Sequence, residues 1–176
     1  MKKAKLLWMD LEMTGLDPEK DRILEVAAIA TDWQFNIIDK MTAVVRVPEQ
    51  LIEKRMVGKF WEIHKEAREA LVKQNVDGLE SSMVEKQILK FIEKNFGKEV
   101  YLAGNSIHQD KRFIVKEWPE LDHKLHYRML DVSAWKIYFE NVLNKKFTKR
   151  EAHRALDDIE GSIEEIKYYL TFLKKA

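Results

Sequence analysis

The sequence predicts a mixed α/β fold, a five-stranded sheet flanked by helices. Three observations lead there. Three apolar, strand-like runs follow one another through short turns in the first 47 residues. Short apolar runs then alternate with segments of helical period. The C-terminal stretch carries a stripe, Ala155, Ile159, Ile163, Ile166, Leu170 and Leu173, spaced at three and four. The chain of 176 residues is 45% hydrophobic and 35% charged, which suits one domain over 1–176 with a single sizeable core.

The elements follow in order. Residues 4–11 read as a buried strand, and the turn Asp17-Pro18-Glu19-Lys20-Asp21 leads into a second apolar run at 22–31. Ile37, Ile38, Val44, Val45 and Val47 mark a third strand over 35–47, ended by Pro48; the three form a meander. Residues 49–75 are charged with scattered apolar positions and read as helix. After a loop at 77–82, Ser82 and Glu85 fit a capping box for a helix at about 83–96, closed by Asn95-Phe96-Gly97. Val100–Ala103 is a short buried fourth strand. A helix at about 109–117 stops before Pro119, a fifth strand runs from Leu125 to Leu130, and a helix covers about 132–143. The last helix extends from the Asp157 region to Leu173, although Thr148 and Glu151 form a second possible capping box that would start a helix earlier.

Composition narrows the function. The chain has no cysteine, which removes disulfides, thiolate zinc sites and cysteine nucleophiles and is compatible with a reducing compartment. After Met-Lys-Lys-Ala-Lys only four apolar residues come before Asp10, too few for a signal-peptide core or a membrane span, so a cytoplasmic protein without membrane partners is expected. A net charge of +1 lacks the basic surplus of proteins that grip long nucleic acid. What remains is a protein that binds no nucleic acid, or one that holds a short piece through a few placed contacts.

The chemistry starts at Asp10-Leu11-Glu12-Met13-Thr14-Gly15-Leu16-Asp17. A strand projects residues i and i+2 on one face, so Asp10 and Glu12 point together while Leu11 turns away. Two carboxylates converging at the end of a buried strand repel each other and lose hydration. A hard divalent cation offsets that cost, since Mg²⁺ and Mn²⁺ prefer oxygen ligands. A lone Asp-x-Glu is otherwise a solvated strand end. Asp110, just past the fourth strand, and Asp157 and Asp158, at the start of the last helix, fall where α/β sheets gather their sites. Each could equally be an acid at a helix N-terminus, favoured by the dipole. In a continuous helix His153 shares a face with Asp157 and not with Asp158.

Four segments in this order, spread over essentially the whole chain, carry a resemblance: Asp10–Asp17, Gly104-Asn105-Ser106-Ile107-His108-Gln109-Asp110, His126-Tyr127-Arg128-Met129-Leu130-Asp131-Val132-Ser133, and His153-Arg154-Ala155-Leu156-Asp157-Asp158. The sequence resembles the oligoribonucleases, a branch of the DEDD 3′→5′ exonucleases of the histidine-bearing subtype. The resemblance implies a ribonuclease-H-like fold and two Mg²⁺ or Mn²⁺ ions held by Asp10, Glu12, Asp110 and Asp158. The family motif His-x-Ala-x-x-Asp selects Asp158 where helical periodicity would have chosen Asp157. His153 is implied as general base, its pKa lying near working pH.

Substrate contacts follow from the same resemblance. Ser106, Arg128 and Ser133 match a cap on the substrate's 5′ phosphate, which would let a nearly neutral protein bind a dinucleotide through charge-assisted bonds. Leu16 matches a wedge between the two bases, and Tyr127 a residue reaching across from a second subunit, implying a homodimer. His64 fits its spacing from Met56, but the family's base-stacking tryptophan falls on Lys59; Phe60 or Trp61 is left to stack, at about 1–3 kcal/mol per base, with core packing the alternative for Trp61. The expected activity is hydrolysis of diribonucleotides and short RNA from the 3′ end. The rival expectations are a single-stranded DNA exonuclease of proofreading or repair type and a dinucleotide-binding module without turnover.

Overall fold

Alternation along the first strand divides the molecule into two layers. The computed structural model describes residues 4–148 and 154–173. In β1 (Ala4–Met13), Leu7, Met9 and Leu11 belong to one core, while Leu6 and Trp8 belong to another on the opposite face. Asp10 and Glu12 continue that second face as the strand emerges. β2 (Ile23–Thr31) runs antiparallel to β1, with Asp10 opposite Ala27 and Glu12 opposite Glu25. All of β2 is buried, which fits a sequence that is apolar on both faces apart from Glu25 and the terminal Thr31. β3 (Ile37–Val44) completes the meander as an edge strand, shorter than the expected 35–47. β4 (Phe96–Gly104) and β5 (Met129–Asp131) add to the other side of β1 in parallel, giving the order β3-β2-β1-β4-β5. The mixed five-stranded sheet flanked by helices is therefore as the sequence predicted.

The expected helix over 49–75 is three: α1 (Glu49–Arg55), α2 (Lys59–Ile63) and α3 (Lys65–Gln74), followed by one 3₁₀ turn. Gly58 breaks the first junction with φ of 90°, and His64 leaves helical geometry at the second with ψ of 44°. These helices close a small core of Leu24, Val47, Ile52, Met56, Trp61 and Leu71.

α4 (Ser81–Asn95) and α5 (His108–Glu117), with α6 (Pro119–Lys124), cover the Leu7–Met9–Leu11 face. The Ser82–Glu85 capping box does not form. α4 starts after Glu80 without a side-chain cap, and Glu85 instead accepts from the N–H groups of Glu120 and Leu121 at 2.8 and 3.0 Å. Glu85 thus satisfies orphan donors of α6, a helix the sequence reading did not anticipate. α7 (Val132–Val142) and α8 (Ala155–Leu173) cover the Leu6–Trp8 face. Trp8 is fully buried there, its indole N–H donating to Thr31 Oγ1 at 3.0 Å. β5 begins at Met129, four residues later than expected. No helix among the described residues is long and apolar enough to cross a membrane.

Candidate active site

The candidate site lies at the carboxyl end of β1, where the strand outlasts its parallel partner. β4 pairs with β1 only as far as Trp8–Ala103. Beyond that, the side chain of Asp110 takes the next open donor: its Oδ1 accepts from Leu11 N at 2.9 Å. Asp110 sits in the first turn of α5 and is 6% exposed. On the opposite face, the apolar stripe Ala155, Ile159, Ile163 and Ile166 seats α8 on the sheet. That docking brings Asp158, and not its exposed neighbour Asp157, to the strand acids. Carboxylate oxygens of Asp10, Glu12 and Asp158 lie within 4.8 Å of one another. The register of β1 shifts between Glu12 and Met13, immediately after the second acid.

Electrostatics mark this end of the strand. Burial, followed by the charges of Asp158, Glu25 and Asp110, pushes the Glu12 carboxyl up to about 8, opposed by Arg154. Burial also raises Asp110 to about 7, against the hydrogen bond from Leu11 N. Three partly buried carboxylates this close, with Glu12 pushed up among them, match the oxygen ligands that a hard divalent cation prefers. Asp110 stands outside the 4.8 Å group and acts on Glu12 through its charge. His153 lies outside the described residues, as does Glu151 of the second possible capping box. Among the described residues, α8 begins at Ala155, after a bend at Arg154.

Of the three residues expected to cap the phosphate, Ser106 and Ser133 share one hydrogen-bonded knot at the ends of β4 and β5, while the Arg128 side chain lies on Tyr127. Ser106, in the left-handed region with φ of 52°, donates its N–H to Asp131 Oδ1 at 3.0 Å and to Ser133 Oγ at 2.8 Å. The two serine hydroxyls are 2.9 Å apart, and Ser133 Oγ also donates to Asn105 Oδ1. Asp131 caps α7 by accepting from Ser133 N at 2.9 Å. Arg128 is exposed with its guanidinium 5.2 Å from the centre of the Tyr127 ring, and Tyr127 is 76% exposed.

Leu16 projects into solvent from a loop whose carbonyl accepts from Gln109 Nε2 at 2.8 Å. Of the two aromatic candidates, Trp61 is 8% exposed inside the small core, whereas Phe60 is 56% exposed and packs on His64 at 4.5 Å between ring centres. The structure therefore gives Trp61 the packing role and leaves Phe60 on the surface. Sequence reasoning passed over Asn105, Asp131, Glu25 and Arg154. Glu25 carried a signal, a single charge within an apolar run. It is 3% exposed and accepts from Arg154 Nη2 at 3.2 Å and from Gln74. Asp131 carried one too, two residues before a serine at a helix start.

This α/β sheet, with carboxylates able to hold a metal ion converging beyond its central strand, is that of an exonuclease: the family model described as RNase T, exonuclease, matches residues 7–166. The chain belongs to the oligoribonuclease family within that class. It is 39% identical to the oligoribonuclease of Neisseria meningitidis serogroup C, over 95% of this chain and 91% of that one. It is 42% identical to the oligoribonuclease of Actinobacillus pleuropneumoniae, over 94% and 92%. Among solved structures, Escherichia coli exonuclease I in complex with a 5cy-dT13 oligonucleotide matches with a TM-score of 0.68 at 13% identity, over 98% of this chain and 41% of that one. Exonuclease I from Methylocaldum szegediense matches at 0.55 and 16%, over 90% and 38%. The chain thus spans about two fifths of the length of these two structures, and the likeness to them is one of fold.

Proposed function

We propose that this chain is a 3′→5′ exoribonuclease of the histidine-bearing DEDD subtype. It hydrolyses diribonucleotides and short oligoribonucleotides to nucleoside 5′-monophosphates, and a single exonuclease domain extends over 1–176. The observation that carries the reading is the convergence of Asp10, Glu12 and Asp158 at the end of β1, with Asp110 behind them, in a chain about 40% identical to oligoribonucleases.

In this reading Asp10, Glu12, Asp110 and Asp158 hold two Mg²⁺ or Mn²⁺ ions. When bound, such a pair lowers the pKa of a water and balances charge on the attacking and leaving oxygens. His153 takes the proton of the attacking water. Ser106, Ser133 and Arg128 hold the 5′ phosphate, where bonds to a charged group contribute about 1.5–3 kcal/mol each. Leu16 wedges between the bases, and Phe60, exposed beside His64, stacks on one of them in place of the buried Trp61. The protein works in the cytoplasm as a homodimer. Tyr127, Met129, Ile137, Tyr138 and Val142, all exposed on β5 and α7 or just before them, supply an apolar surface for the second copy.

The test is single-turnover cleavage of a 5′-phosphorylated diribonucleotide beside a labelled seven-mer RNA, with Mg²⁺ and with EDTA. Much faster, metal-dependent loss of the dinucleotide is expected, and Arg128→Ala should slow it by on the order of tenfold or more only when the 5′ phosphate is present. Equal or faster trimming of the seven-mer would discard the dinucleotide specialisation. Preference for single-stranded DNA would favour a proofreading-type enzyme, and binding without product in Mn²⁺ a module without turnover.

A further inference from the structure

The loop that carries Leu16 is built around one buried carboxylate. Asp21 is fully buried, yet it receives four donors: Thr14 Oγ1 at 3.0 Å, Asp17 N at 3.0 Å, and Arg55 Nε and Nη2 at 2.7 and 2.9 Å. Thr14 closes the ring from outside, its N–H on Arg22 O at 2.9 Å and its Oγ1 accepting from Arg22 N at 3.1 Å. Gly15 is required here, because a Cβ would stand 2.6 Å from Asp21 Oδ2. Burial alone would raise the Asp21 carboxyl. The bonds from Arg55, Asp17 and Thr14 overcome that and hold it below its ordinary value.

Arg55 is the last residue of α1, on a different segment from the loop. Met56, which follows it, is pinned at its carbonyl by Arg68 Nε at 2.9 Å and buried against Ile52 and Trp61 in the small core. Trp61 in turn fixes α2, whose neighbouring positions expose Phe60 and present His64. The loop's other end is tied to α5 by Gln109, the residue before Asp110. A bidentate guanidinium–carboxylate pair transmits position because its two parallel bonds fix both distance and angle, which an ammonium cannot do.

We propose that the Arg55–Asp21 pair is a positioning clamp that holds the Leu16 loop in one fixed relation to α2, which carries Phe60 and leads into His64, and so sets the preference for substrates two nucleotides long. The inference rests on the oligoribonuclease reading and names the device behind its selectivity. Neither residue touches the reacting atoms, so the clamp acts on how a short substrate is seated rather than on bond cleavage.

The experiment compares kcat and KM of wild type, Arg55→Met, Arg55→Lys and Asp21→Asn on a 5′-phosphorylated diribonucleotide and on a seven-mer, with thermal midpoints recorded alongside. R55M should raise KM for the dinucleotide on the order of tenfold, with kcat and the seven-mer constants changed less than about twofold. R55K should fall between, having the charge without the fork; if R55M does not fold, R55K carries the same test. A dinucleotide-to-seven-mer ratio equal to wild type in the folded variants would overturn the clamp. So would losses on both substrates that simply track the fall in midpoint. Absence of any dinucleotide preference in wild type would instead overturn the functional reading, and the clamp's role with it.

Discussion

Two carboxylate sites, one fully buried at Asp21 and one partly buried at Glu12, lie within ten residues of each other and have opposite environments. Asp21 has four donors and is held below the ordinary carboxylate range, with burial opposed by Arg55, Asp17 and Thr14. Glu12 has acids for neighbours, and burial together with Asp158, Glu25 and Asp110 pushes it up to about 8. The first arrangement stabilises the fold as it stands. The second costs stability until a cation or a proton balances it. Burial alone does not distinguish structure from function here; the supply of donors does.

The sharpest way to break this contrast is Asp110→Asn. The amide oxygen can still accept from Leu11 N, so the fold should survive with its thermal midpoint kept or raised. Hydrolysis should nevertheless drop on the order of 10³-fold or more, because the charge balance for two cations is lost. Near-normal turnover at saturating Mg²⁺ would remove Asp110 from the site.

Stability should divide the two sites by sign. Asp21→Asn removes a charged acceptor from buried donors and should destabilise by about 1.5–3 kcal/mol, read from denaturant unfolding. Glu12→Gln should instead stabilise the metal-free protein at pH 8 and change little at pH 5. The pH dependence follows from linkage. Glu12 and Asp110 keep their protons to about 8 and about 7 in the folded chain, whereas unfolded carboxyls lose theirs near 4. Between those limits the folded state binds more protons, so metal-free stability falls as pH rises from about 5 to 8. Asp21 works the other way: its contribution is full above the ordinary aspartate value and is lost as pH falls through its lowered one. A flat midpoint between pH 5 and 8 without metal would contradict the acid-cluster half of the comparison.

Much of this was legible in sequence, and the misses have physical causes. The period-2 pattern through Trp8, Asp10 and Glu12 was enough to put both acids on one face, because a strand's alternation is rigid. The choice between Asp157 and Asp158 was not open to helical periodicity. It depends on how α8 seats on the sheet, and among the described residues that helix runs from Ala155, after a bend at Arg154. The breaks at Gly58 and His64 were hidden because the charged stretch 49–75 keeps a helical composition across them. Trp61 was ambiguous for the same reason: the kink at Gly58 decides which of two adjacent aromatics enters the core. Glu85 fitted a cap for its own helix, yet α6 offered it two donors that only tertiary packing brings near. The Asp21 clamp was invisible, since its partner Arg55 is 34 positions away.

The most direct measurement is calorimetric titration of Mn²⁺ into the metal-free protein at pH 6, 7 and 8, each in two buffers of different ionisation enthalpy. Binding should tighten with pH, with protons released at pH 6 and 7 and fewer at pH 8; both effects should shrink in Glu12→Gln, which leaves only the raised Asp110 to release a proton, and stay unchanged in Arg55→Lys. Binding that is independent of pH and releases no protons would contradict it.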